Sequence, residues 1–129
     1  MAIRSFEEID AWKAARELTQ QIYEVSAQGP IAKDFDLRDQ IRRASVSVMA
    51  NIAEGFDSQT NREFIGFLGY ALRSATEVES HLYVALDQAY ISQEQFDALY
   101  DRSEKTKNLI RGFMRYLRQQ SDKSGSDGT

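Results

Sequence analysis

The 129-residue sequence contains no cysteine, a single histidine (His81), a single proline (Pro30) and only seven glycines. Without cysteine there is neither a disulfide framework nor a thiolate metal site, and one histidine cannot assemble a histidine cluster. Zinc, haem and thiol chemistry are therefore excluded as readings, and no metal or cofactor is expected. The sequence also lacks any run approaching the roughly 18 apolar residues of a membrane span, and "MAIRSFEEIDAWK" has no signal-peptide core, so a cytoplasmic protein without a membrane partner is expected. Charge of one sign is not dominant either: 16 basic and 20 acidic side chains give a net charge of −4. That balance argues against a general nucleic-acid coat but leaves room for a local basic patch. No strand-like period-two run is present, and the scarcity of proline leaves long uninterrupted segments.

Those segments have helical spacing. A chain of this length fits one domain able to bury roughly two-thirds of its unfolded surface. Breaks at "GPIAKDFD", "GFDSQTN" and "AYISQEQ" divide it into four segments, predicted as helices over about 6–27, 36–55, 60–89 and 93–119. The first carries Ala11, Ala15, Leu18, Ile22 and Val25 at steps of three and four, and the second Leu37, Ile41, Ala44, Val48 and Ile52. The third follows a capping-box pattern at Thr60 and Glu63 and holds an apolar register from Phe64 to Ala89. The fourth opens at Ser92 with Gln95 in the capping-box position and runs Phe96, Leu99, Ser103, Thr106, Ile110, Phe113, Leu117. Short connections favour antiparallel neighbours, so the expected fold is all-α, an antiparallel up-down-up-down four-helix bundle over 1–120, with a helical hairpin dimer as the alternative. The segment 121–129, "SDKSGSDGT", is low in apolar residues and reads as a flexible tail. Apolar residues off the main stripes, among them Val46, Met49, Ala53, Ile65, Leu72, Tyr83 and Met114, predict burial against another subunit and hence a homo-oligomer.

The stretch "QIRRASVSVMANIAEGF" (40–56) sets polar residues beside its core line: Arg43, Ser47, Asn51 and Glu54 lie on successive turns. The third segment has a matching flank with Tyr70, Ser74, Glu77 and His81, so Arg43 is expected to meet Glu77 across the bundle. Arg43, Ser47, Asn51, Glu54, Ser74 and Glu77 then form a structural polar network that fixes helix pairing. The same Arg43, Glu54 and Glu77 could serve acid-base chemistry, but no nucleophile, metal-ligand set or phosphate loop accompanies them, so a non-enzymatic protein without catalytic residues is the preferred reading. Bundle di-metal sites use Glu-x-x-His pairs on two helices, whereas Glu77 and His81 are four apart and stand alone. Small residues Ala44, Ser47, Ala50 and Gly55 permit close helix approach, and Gly55 suits a helix end with positive φ. Trp12, Tyr23, Tyr70 and Tyr83 could stack on bases, though packing is the commoner use.

This stretch, with "FEEIDAWKAARELTQQIY" before it and "NREFIGFLGYALRSATEVESHL" after it, resembles a four-helix-bundle family associated with intervening sequences in bacterial 23S rRNA genes. The residues that carry the resemblance are Arg42, Arg43, Ser47, Asn51, Ile52, Ala53, Glu54 and Gly55, with Ser74 and Glu77 following, and the likeness spans about 6–117. Met49 departs from the proline common there and implies a straighter second helix. The resemblance implies a four-helix bundle, often a ring-like homopentamer, with no established enzymatic activity. A distant branch, the accessory proteins of diversity-generating retroelements, works with a reverse transcriptase and RNA.

One charge feature exceeds its background. Between Arg102 and Arg118 lie six basic residues and one acidic residue, a local balance of +5. Lys107, Arg111, Arg115 and Arg118 are expected on one helix face away from the core, either as a solvated face favoured by the helix dipole or as a phosphate-binding strip. The sequence thus reads as a homo-oligomeric, non-enzymatic helical module with an assembly or RNA-associated role. A ring assisting a reverse transcriptase and an enzyme using Arg43, Glu54 and Glu77 are the alternatives.

Overall fold

The computed structural model describes residues 3–123. Four helices, α1 (Asp10–Ser26), α2 (Phe35–Phe56), α3 (Asn61–Asp87) and α4 (Gln93–Lys123), form an all-α antiparallel bundle, with 3-10 turns at Phe6–Glu8 and Gly29–Lys33. α2 packs on α1 and α3, α3 on α4, and α4 closes back onto α1. The α2–α3 face and the α1–α4 face therefore lie on opposite sides of the molecule.

Local chemistry sets the helix ends. The Thr60 hydroxyl accepts from the Glu63 amide while the Glu63 carboxylate accepts from the Thr60 amide, a complete capping box. Ser92 and Gln95 make the same reciprocal pair ahead of α4, at 2.8 and 3.0 Å. Asp34 caps α2 by accepting from the Leu37 amide, and Tyr90 from the far end of α3 donates its hydroxyl to the same carboxylate at 3.0 Å. Between α1 and α2 the chain turns at Gly29, whose φ of 68° suits glycine, with Pro30 opening the 3-10 turn.

Three boundaries differ from the sequence reading. The first segment is not one helix from residue 6: after the 3-10 turn, Ile9 is extended and buried, and the α-helix begins at Asp10, whose carboxylate suits a helix start. α3 stops at Asp87 because Ala89 adopts φ 59°. The Tyr90 amide then reaches the Ala85 carbonyl and the Ala89 amide reaches Leu86, a Schellman ending with alanine where glycine is usual. α4 runs to Lys123, past the expected end at residue 119 and into the segment read as a tail; the remainder of that segment, 124–129, lies outside the described residues.

The core has two apolar clusters. One gathers Leu18, Ile22, Ile31, Ile41, Leu82 and Phe96, and the other Ile9, Ala15, Val48, Ile52, Leu68 and Ile110. Buried polar residues interrupt the stripes between them: Thr19 on α1, Ser45 on α2, and Ser103, Thr106 and Lys107 on α4. Each hydroxyl has an acceptor, on its own helix or across a seam. Thr19 donates to the Ala15 and Ser45 carbonyls, Ser45 to that of Arg42, and Thr106 to that of Arg102. No buried side-chain nitrogen or oxygen among the described residues lacks a partner, which is what a polar waist in a core requires.

Candidate functional site

The polar stretch of α2 lies along the α2–α3 seam, and the structure splits the expected network. Ser74 donates to the Ser47 hydroxyl at 2.9 Å, and the Asn51 amide donates to the Ser47 hydroxyl at 3.0 Å and to its carbonyl at 2.9 Å. These three half-buried residues form the ladder expected of them. Arg43, Glu54 and Glu77 do not join it. Arg43 is exposed and has no hydrogen bond or ion pair among the described residues. Glu77 reaches His81 Nε2 at 3.4 Å on its own helix instead of Arg43. Glu54 is exposed on the rim of a groove of about 390 Å³ shared with Arg4, Ser5 and Phe6. The physical reason is exposure: all three side chains stand in solvent outside the seam, where water competes with any partner. Arg43, Glu54 and Glu77 share no hydrogen bond or ion pair with one another.

Gly55 belongs to the same seam through the close helix approach expected of it, and not through the positive φ. It lies inside α2 with no positive φ. A Cβ there would stand 2.6 Å from a ring carbon of Phe64 and 3.0 Å from Phe67 Cβ, so glycine is required by the close approach of α3.

The buried charges are on the other side of α3. Lys107 is 8% exposed, with its ammonium 3.2 Å from Glu79 and 3.2 Å from Glu104. Glu79, 5% exposed, accepts from Ser103 at 2.8 Å on its second oxygen. This corrects the placement of Lys107 on an outward basic strip: four residues after Ser103 and three before Ile110, it occupies the core line of α4 and delivers its ammonium to the α3–α4 seam. Burial raises the Glu79 pKa, helped by a shared hydrogen bond with Glu104, while Ser103 and Lys107 pull it down. Glu104, held in that bond and beside Lys107, is shifted the opposite way, below the ordinary glutamate value. Sequence reasoning passed over Glu79, although Ser103, Thr106 and Lys107 interrupting an apolar stripe signal that a buried polar partner must face them.

What remains of the basic strip is Arg111, Arg115 and Arg118, all exposed. Arg111 donates to Asn108 at 3.3 Å. Arg115 leans over Gly112, its guanidinium 3.7 Å from where a Cβ would be. Beside them, between α4 and the start of α1, opens a cleft of about 570 Å³ with Ile9, Ala11, Leu109 and Phe113 in its wall and Glu8 and Asp10 on its α1 side. On the opposite side of the bundle the outward surface of α2 and α3 exposes Val46 (42%), Tyr70 (54%) and Val84 (43%). Among the described residues no group of three or more histidine, cysteine, aspartate or glutamate side chains is placed to hold a metal, and no helix is long and apolar enough to cross a membrane.

The model of the 23S rRNA-intervening sequence protein family matches residues 7–112. The chain belongs to this family. No curated protein sequence matches it. A crystal structure of a protein of unknown function from Bacteroides thetaiotaomicron, assigned to the S23 ribosomal protein family, is similar over 81% of this chain and 97% of its own, with 27% identity and a TM-score of 0.73. α1, α2, α3, the first part of α4, the Ser47–Asn51–Ser74 ladder and the Glu79–Lys107 pair lie within the matched family region.

Proposed function

We propose that this family member is a non-enzymatic helical scaffold that works as a homo-oligomer. The observation that supports it is the outward α2–α3 face. There Arg43 and Glu54 have no partner among the described residues, and Tyr70 and Val46 stay exposed after every helix has filled its core stripe. Apolar and aromatic side chains set among unpaired charges are the composition of an interface rather than of a solvated helix face. A closed ring suits such a module, and a pentamer is the expected assembly.

A second reading, an accessory that meets RNA, alone or with a reverse transcriptase, is supported by Arg111, Arg115 and Arg118. They project from α4 of a chain whose net charge is −4, and a ring would multiply them. With Lys107 engaged by two glutamates, each copy offers three arginines to phosphate, not four cations.

Sedimentation velocity at micromolar concentration tests the scaffold. The expected result is a single species at a multiple, five-fold, of the 14.7 kDa chain mass. A species at the chain mass would overturn it.

A further inference from the structure

Two surfaces on opposite sides of the bundle are unpartnered and unlike each other. The α1–α4 cleft is concave, about 570 Å³, with an apolar wall that includes Leu109, itself 41% exposed, and acidic groups at Glu8 and Asp10. Its α4 rim is lowered by Gly112, around which only Arg115 comes within 4 Å of an added Cβ. The α2–α3 face presents Tyr70, whose ring carries the Arg73 guanidinium at 5.4 Å, on the α3 turn that lies level with Asn51, one turn from the exposed Glu54. An exposed aromatic carrying one arginine on one side answers an apolar cleft with carboxylates at Glu8 and Asp10 on the other, and Arg115 on the α4 rim answers Glu54 on the face.

We propose that the α1–α4 cleft of one copy receives the outward α2–α3 face of the next copy, with Tyr70 as the inserted side chain, Arg73 directed toward Glu8 and Asp10, and Glu54 directed toward Arg115. The proposal rests on the homo-oligomer reading and deepens it by naming the two surfaces that meet. Because they differ, the contact is heterologous: every copy in contact still has one free face or one free cleft until the assembly closes into a ring. A self-complementary dimer built on the α2–α3 face alone would leave the cleft empty.

Complementation between two assembly-dead variants tests it. Leu109→Glu places a charge in the cleft but leaves the face intact, and Tyr70→Glu does the reverse. Both positions are exposed, so circular dichroism should show unchanged helix content. Gly112→Gln, which adds a side chain into open space at the cleft rim, serves as a second cleft variant should Leu109→Glu not fold. By sedimentation velocity the unaltered chain is expected to assemble, and each variant alone to sediment at 14.7 kDa. An equimolar mixture of a cleft variant with Tyr70→Glu should give a species of about twice that mass, since one intact face can meet one intact cleft and growth then stops. Full assembly of both cleft variants would overturn the proposal while leaving the homo-oligomer in place, as would a mixture that remains monomeric. A monomeric unaltered chain would overturn both.

Discussion

The two flanks of α3 carry the same kinds of residue in opposite surroundings. Toward α2, Glu77 stands with 57% of its side chain exposed, Arg43 has no partner among the described residues, and the helices are joined by three small polar groups and by glycine-permitted contact. Toward α4, Glu79 and Lys107 are buried and each has its polar atoms engaged, by Ser103 and by Glu104. Two glutamates two positions apart on one helix therefore do different work. One is a buried acceptor that would otherwise leave an ammonium stranded in the core, and the other is a solvated charge whose loss costs the monomer little. Charges that help hold the fold are on the α3–α4 seam, and charges free for another molecule are on the α2–α3 seam.

The largest effect expected from breaking this division is at Lys107. Lys107→Met keeps the length of the stem but removes the ammonium, and losing one member of a buried ion pair costs about 3–5 kcal/mol. The pH dependence has a defined sign. Glu79 is shifted upward, so the fold favours its protonated form; its contribution is complete below the ordinary value of 4.5 and is lost as pH rises through its value in the folded chain. Lys107 opposes that loss by favouring the carboxylate, and it also favours ionised Glu104. The deficit of Lys107→Met in urea unfolding should therefore be widest at neutral pH and narrow as pH falls toward 4.5. A deficit that grows on acidification would contradict the assignment.

On the α2–α3 side the sensitive position is uncharged. Gly55→Ala gains about 1 kcal/mol of helix propensity but forces a methyl group to within 2.6 Å of the Phe64 ring, which is itself packed edge-on against Phe56 and Phe113. Overpacking of this kind costs about 1–3 kcal/mol, so a net loss is expected in the urea midpoint. A stabilised variant would mean that α2 and α3 are not held at contact distance there.

Much of this arrangement is legible in the sequence because it is local. The Thr60–Glu63 and Ser92–Gln95 boxes follow from fixed spacing, and the core stripes of all four helices follow from period. Ala89 escaped notice because a left-handed residue announces itself in sequence only when it is glycine or asparagine. Lys107 was misplaced because its chemistry suggests the surface while its register, between Ser103 and Ile110, assigns it to the core. Arg43 and Glu77 were joined because their turns face across the seam, but a helical wheel does not say how far from the axis water begins. Which long charged side chains are covered depends on the neighbouring helix, and that information is tertiary.

The most direct test of the account is one alanine substitution made twice, at Glu77 and at Glu79, with the two variants unfolded in urea side by side at neutral pH. The account predicts that Glu79→Ala loses about 3 kcal/mol, since Lys107 and Ser103 are left facing a void, and that Glu77→Ala changes stability by less than about 0.5 kcal/mol. Equal losses at the two positions, or the larger loss at Glu77, would contradict it.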